Sequence, residues 1–126
     1  MSDPAPSVLV VDDEEILLSL LKRVLEREGW GVATARDGEE ALRLFSAEPG
    51  RFDAAILDVG VPPRGALAAL RALRAVRPDL GAILTSGTGP DASLREELRG
   101  GRSAFVAKPF APGDLARALE RVRRAA

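Results

Sequence analysis

The sequence predicts an α/β fold, a doubly wound parallel sheet of five β/α units in one domain. Three observations lead there. Four short runs, Val8-Leu9-Val10-Val11, Ala54-Ala55-Ile56-Leu57, Ala82-Ile83-Leu84 and Ala104-Phe105-Val106-Ala107, are apolar throughout, as strands buried on both faces are. Segments with apolar residues at helical spacing separate them, and such alternation argues parallel strands joined by right-handed crossovers. Each run also stops at residues able to do chemistry: Asp12-Asp13, Asp58, Thr85-Ser86 and Lys108-Pro109. Ligands of open α/β sheets bind outside the carboxyl ends of the strands.

Residues 1–6 carry two prolines and read as a disordered lead-in to a domain at 7–126. The first strand is expected at 7–12. Ile16, Leu17, Leu20, Leu21, Val24 and Leu25 then give a helix from about 14 to 28 that stops at Gly29. Gly31–Ala35 is a short strand. Asp37, with Glu40 three residues on, resembles a capping box opening a helix through Leu44 and Phe45. Pro49-Gly50 breaks it. The third strand is at 53–57, and a loop with Pro62, Pro63 and Gly65 leads to a helix near 66–76 carrying Leu67, Leu70 and Leu73, which Pro78 ends. The fourth strand is at 81–85. Asp91 caps a short helix near 91–99 whose Leu94 and Leu98 face inward, bracketed by Gly87, Gly89, Gly100 and Gly101. The fifth strand is at 104–107, and Pro112 suits the first turn of a last helix with Leu115, Leu119 and Val122 inward.

At 126 residues the chain is long enough to bury a core without staples. A net charge of −1 gives no field to recruit nucleic acid or an anionic membrane. Without cysteine there are no disulfides or thiolate sites, which fits a reducing compartment. Without histidine there is no imidazole-ligated zinc and no histidine base. No apolar stretch approaches the roughly 18 residues that span a bilayer. The polar start Met1-Ser2-Asp3-Pro4 is not a signal peptide, and Met1 lies close enough to the first strand to suggest a natural start. Arg71, Arg74 and Arg77 on the third helix and Arg121, Arg123 and Arg124 at the end read as solvated faces. Of 18 basic residues only Lys22 and Lys108 are lysine.

Adjacent acids at the end of a buried strand repel unless something compensates them. Magnesium does so, taking one or two carboxylates and keeping several waters; Asp12, Asp13 and Asp58 have the right donors. The alternatives are plainer. Asp12-Asp13-Glu14-Glu15 can cap the first helix, Asp58 can be a turn residue, and the hydroxyls of Thr85 and Ser86 are common in glycine turns. Lys108, a lysine in an arginine-rich chain at a strand end, offers a compact point charge for one phosphoryl or carboxylate oxygen.

These residues carry a resemblance. Val8–Glu14, Ala35–Leu42, Ile56-Leu57-Asp58-Val59 with Pro62, Leu84–Gly87 and Val106–Phe110 are similar to the matching segments of the receiver (phosphoacceptor) domain of bacterial two-component response regulators. The resemblance implies a flavodoxin-like sandwich with strand order 2-1-3-4-5. It implies Asp58 as phosphoacceptor, and Asp12, Asp13, Asp58 and the Gly60 backbone carbonyl as ligands of Mg2+. Lys108 contacts the phosphoryl group, Ser86 is the switch hydroxyl, Phe105 the aromatic that turns with it, and Lys108-Pro109 a cis bond. It implies a cytoplasmic signalling module, not an enzyme in its own right, although it assists its own phosphorylation and dephosphorylation. Its partners are a histidine kinase or phosphotransfer protein and a downstream output protein or domain, with no direct nucleic acid and no membrane. Two segments depart from the pattern: Val61–Gly65 is short and lacks methionine, and Gly100-Gly101-Arg102-Ser103 is glycine-rich beside a short fourth helix.

Two rivals differ in kind. A haloacid-dehalogenase-type phosphatase also uses an aspartate at a strand end, but needs an acid two residues on, where this chain has Gly60. A receiver fold used only as a binding scaffold would usually have lost an acid or the lysine.

Overall fold

Apolar runs and capping signals resolve into ten elements in a computed structural model of the chain, which describes residues 6–125. Apart from Pro6, the expected lead-in lies outside the described residues. Strands β1 (Ser7–Val11), β2 (Gly31–Ala35), β3 (Ala54–Asp58), β4 (Gly81–Ser86) and β5 (Ser103–Ala107) alternate with helices α1 (Glu15–Arg27), α2 (Gly38–Ala47), α3 (Ala66–Val76), α4 (Ala92–Leu98) and α5 (Pro112–Ala125). All pairings are parallel, in the order β2-β1-β3-β4-β5. The doubly wound sheet is the one the residue pattern predicts, and its strand order is the one the resemblance implies.

The all-apolar central strands are buried on both faces. Leu9, Val11, Ala55, Leu57 and Leu84 pack under α2 and α3, with Leu94 of α4. Val8, Val10, Ile56 and Ile83 pack under α1 and α5. Phe45 and Phe52 stack at 5.8 Å between centroids in the first layer. Trp30 is buried in the second layer, with the Arg123 guanidinium 5.7 Å over its ring.

Helix ends follow local chemistry. Asp37 accepts from the Glu40 N–H at 2.7 Å, and the Glu40 carboxylate reaches back to the Arg36 N–H at 2.7 Å, a reciprocal cap one residue wider than the usual box. Asp91 accepts from the Leu94 N–H at 2.8 Å. Gly29 ends α1 with φ +97°, a conformation other residues adopt only under strain.

Periodicity places α1 without fixing its core face, and two expectations, on α4 and on α3, need correction. On α1 the core face is Leu18, Leu21 and Leu25, while Ile16 is 87% and Leu20 53% exposed. The apolar arc of this helix is wider than the stripe the sheet covers, and periodicity alone does not say which edge is left over. On α4 only Leu94 is buried, and Leu98 is half-buried. Arg74 and Arg77 are not solvated. Arg77 donates to the Pro49 and Phe52 carbonyls and pairs with Asp79, and Arg74 is enclosed in a network described below. Their long stems reach acceptors that only the folded topology brings near.

Candidate functional site

Parallel strands all point their carboxyl ends the same way, so the residues that end β1, β3, β4 and β5 meet on one edge. Asp12 directly follows β1, with its N–H on the Ala35 carbonyl, and is buried. Asp58 is the last residue of β3, in register with Thr85 of β4, and Ser86 is in register with Ala107 of β5. The Lys108 N–H donates to the Ser86 carbonyl, which fixes the lysine backbone to β4.

Lys108 Nζ lies 2.8 Å from Asp58 Oδ1, 3.0 Å from Asp12 Oδ2 and 3.5 Å from Glu14 Oε1. Carboxylate oxygens of Asp12, Asp13 and Asp58 fall within 4.8 Å of one another. Burial raises the Asp12 carboxyl above its ordinary value, against the opposing pull of the Glu14 N–H and Lys108. Burial acts to lower the Lys108 pKa, but hydrogen bonds to Asp58 and Asp12, with their negative charge, raise it above the usual lysine range. The lysine is held as a cation.

The acids are not merely a helix cap. Glu14 at the N-cap of α1 makes no side-chain cap bond, and Asp12 Oδ1 accepts from the Glu14 N–H at 2.9 Å, outside the helix. Asp13 is exposed. Asp12 and Asp58 share one ammonium and Asp13 stands beside them, and all the donors are hard oxygens, so the set fits a hard divalent cation. Asp12, Asp13 and Asp58 are the side chains able to hold it.

The remaining predicted residues divide. The Gly60 N–H donates to Asp58 Oδ2 at 3.0 Å, which puts its backbone beside the acid. The Lys108-Pro109 bond is cis, as is Pro62-Pro63. Ser86 is nearby but turned away. Its Oγ accepts from the Thr88 N–H at 3.1 Å and lies 3.2 Å from the Thr88 hydroxyl. Thr85, not Ser86, is the hydroxyl facing Asp58, at 3.4 Å and therefore weakly. Phe105 is partly buried against the α2–α3 layer. Sequence reasoning passed over Glu14 as a partner of Lys108; its place two residues after Asp12 was the available signal. Beside the lysine, Leu17, Leu20, Val24, Pro109 and Phe110 line an apolar groove of 380 Å³.

The chain that carries this constellation has relatives. Residues 8–120 match the family described as the response regulator receiver domain. The chain belongs to that family. As a receiver domain it is a signalling module of two-component systems, a class that acts with histidine kinases and output domains. It is 38% identical over 111 residues to the transcriptional regulatory protein PrrA of Mycobacterium tuberculosis, covering 88% of this chain and 47% of that protein. The receiver domain thus spans about half the length of that regulator. A receiver domain protein from Clostridium thermocellum superposes with a TM-score of 0.84 at 29% identity, over 94% of this chain and 95% of that one. A response regulator from Burkholderia pseudomallei, whose structure contains a phosphorylated aspartic acid, a calcium ion and citrate, superposes with a TM-score of 0.80 at 28% identity, over 94% of this chain and 69% of that one. Among the described residues no helix is long and apolar enough to cross a membrane.

Proposed function

We propose that this receiver domain accepts a phosphoryl group on Asp58, from a histidine kinase or phosphotransfer protein, in a Mg2+-dependent reaction. The observation that carries the reading is the Lys108 ammonium bridging Asp58 and Asp12, with Asp13 completing an acidic cluster. The phosphorylated aspartic acid and calcium ion in the Burkholderia pseudomallei relative support the acceptor and the kind of cation.

An Asp58 carboxylate oxygen attacks phosphorus in line. A P–O bond forms as the P–N bond to the donor imidazole breaks, and the electron pair leaves with the imidazole nitrogen. Carboxylate is already the nucleophile, so no general base is required, in keeping with a chain that has no histidine. Asp12, Asp13, Asp58 and the Gly60 carbonyl would hold magnesium, which would supply positive charge to offset that on the phosphoryl oxygens. Lys108, now paired with two acids, turns part of its charge to a phosphoryl oxygen. Ser86 then leaves Thr88 and turns toward the phosphoryl group, and Phe105 moves into the vacated space. Together these shifts bias the surface of α4, β5 and α5 between two arrangements read by an output protein or domain. The groove beside Lys108 suits the apolar side of a donor protein. The domain works in the cytoplasm, assists its own phosphorylation and dephosphorylation, and contacts neither nucleic acid nor membrane directly.

The deciding experiment is intact-mass analysis with magnesium and acetyl phosphate. Wild type gains one phosphoryl mass and Asp58→Asn gains none. Stoichiometric labelling of Asp58→Asn would move the acceptor elsewhere.

A further inference from the structure

Arg74, near the end of α3, is tied to residues from three other parts of the chain. Its Nε donates to the Leu80 carbonyl at 3.0 Å, and its Nη1 to Glu97 Oε2 of α4 at 2.6 Å. Its Nη2 donates to Ser103 Oγ at 3.2 Å and the Arg102 carbonyl at 3.3 Å, where β5 begins. Ser103 Oγ closes the ring by donating to the same Glu97 oxygen at 3.0 Å. The paired side chains are only 18% and 25% exposed, so solvent screens them far less than the exposed Glu96–Arg99 pair of the same helix.

The helix they hold is otherwise lightly fastened. α4 has seven residues and one buried side chain, Leu94. Glu97 follows it by three positions and therefore shares its face. Gly87 and Gly89 precede the helix, and Gly100 and Gly101 follow it, Gly101 with φ +79°. On the entry side the chain is steadied by the Ser86–Thr88 hydrogen bonds. A Ser86 hydroxyl drawn to a phosphoryl group on Asp58 abandons these bonds and frees the entry. The exit is still held by Glu97.

We propose that the Arg74–Glu97 pair is a latch holding α4 in its unphosphorylated position, so that its strength sets how readily the switch surface rearranges. This rests on Asp58 being the phosphoacceptor. A contact made in one arrangement and loosened in the other opposes the second, and by linkage it weakens any ligand that favours the second. A contact made equally in both shifts nothing.

Glu97→Gln keeps the shape and an acceptor for Arg74 but removes the charge. Glu96→Gln is the matched control, since Glu96 pairs with Arg99 on the exposed side of the same helix. In the unphosphorylated, metal-free protein, Glu97→Gln speeds amide hydrogen exchange across residues 92–99 by about tenfold, while β1 and β3 stay protected and report an intact fold. With magnesium present, the same variant binds beryllofluoride about fivefold more tightly than wild type. Glu96→Gln changes neither. Unchanged exchange in Glu97→Gln overturns the latch. Faster exchange with equal or weaker beryllofluoride binding overturns its regulatory role, leaving a structural clip. Wild type that binds no beryllofluoride defeats the phosphoacceptor reading and the regulatory role with it, while the exchange experiment still decides whether the pair holds α4.

Discussion

Lys108 Nζ stands 2.8 Å from Asp58 Oδ1, an ion pair made across β4, since β3 and β5 are not neighbours in the sheet. The same ammonium is 3.0 Å from Asp12 Oδ2. One cation is thus shared between two carboxylates, and Asp13 beside them is left for another. The geometry depends on a single small ammonium entering a narrow space between two acids.

Lys108→Arg keeps the charge but replaces that ammonium with a wide planar fork. We expect this variant to fold and to respond weakly. Beryllofluoride should shift amide signals around Ser86–Thr88 and Ala104–Phe110 in wild type, with much smaller shifts in Lys108→Arg. Lys22→Arg should be silent, because Lys22 is a half-exposed partner of Glu26 on α1. Full wild-type shifts in Lys108→Arg would show that any cation serves.

Asp13 is the exposed member of the acidic cluster and is removed at least structural cost. Asp13→Ala should weaken magnesium binding by about tenfold or more and slow phosphorylation with it. Calorimetry is the suitable measurement. Trp30 sits just before β2, at the end of the sheet opposite the acids, so its fluorescence is poorly placed to report the metal. Equal affinity in Asp13→Ala would mean that the pair of acids does not hold the ion.

Most of this site was legible because parallel topology turns strand endings into neighbours. Once Val8–Val11, Ala54–Leu57 and Ala104–Ala107 are strands of one parallel sheet, Asp12, Asp58 and Lys108 have to converge. The caps of α2 and α4 were equally legible, since Asp37 and Asp91 act within three residues of themselves. What escaped were effects of long range or of register. Ile16 and Leu20 lie on the edge of an apolar arc, and only the packed sheet decides which edge is covered. Thr85 faces Asp58 because of the β3–β4 register, which the local sequence does not encode. Arg74 finds Glu97 and Ser103, 23 and 29 residues further on, only once α3, α4 and the start of β5 are packed together, so a basic face on α3 looked solvated.

Two opposite pH effects follow, one from the carboxylates around Lys108 and one from the burial of Asp12. The folded state raises Lys108 above the ordinary 10.5. Its contribution is therefore fully present below that value and is lost as pH rises through the folded pKa. The folded state also raises Asp12 above the ordinary 3.8. For an acid this is a penalty at neutral pH that disappears as pH falls through the folded pKa to below 3.8. In urea unfolding with chelator, the stability of Lys108→Met relative to wild type should improve above pH 10.5. That of Asp12→Asn relative to wild type should worsen as the solution is acidified from neutrality toward pH 3.8. Differences that stay flat across both windows would mean that neither group is coupled to folding.

The last prediction tests how closely α5 is seated on the sheet that carries Thr85 and Ser86. Gly81 opens β4 and is buried, and its backbone is not in the left-handed region. Glycine is required there for space, not for conformation. A Cβ at this position would lie 2.7 Å from the Val122 carbonyl oxygen and 3.1 Å from the Val122 carbonyl carbon. Those are backbone atoms of α5, and Val122 is itself buried, so no flexible side chain can swing aside. The helix has to shift or the strand has to bend. Gly81→Ala should therefore cost about 1–3 kcal/mol, as other overpacked cores do. It does so despite the small entropic gain that replacing glycine ordinarily brings. Gly50→Ala is the control, because a Cβ there meets nothing within 4 Å. Urea midpoints should fall for Gly81→Ala and hold or rise slightly for Gly50→Ala. An unchanged midpoint in Gly81→Ala would show that α5 slides freely over β4, and a helix that moves so easily could not transmit a change at Ser86 as a defined surface.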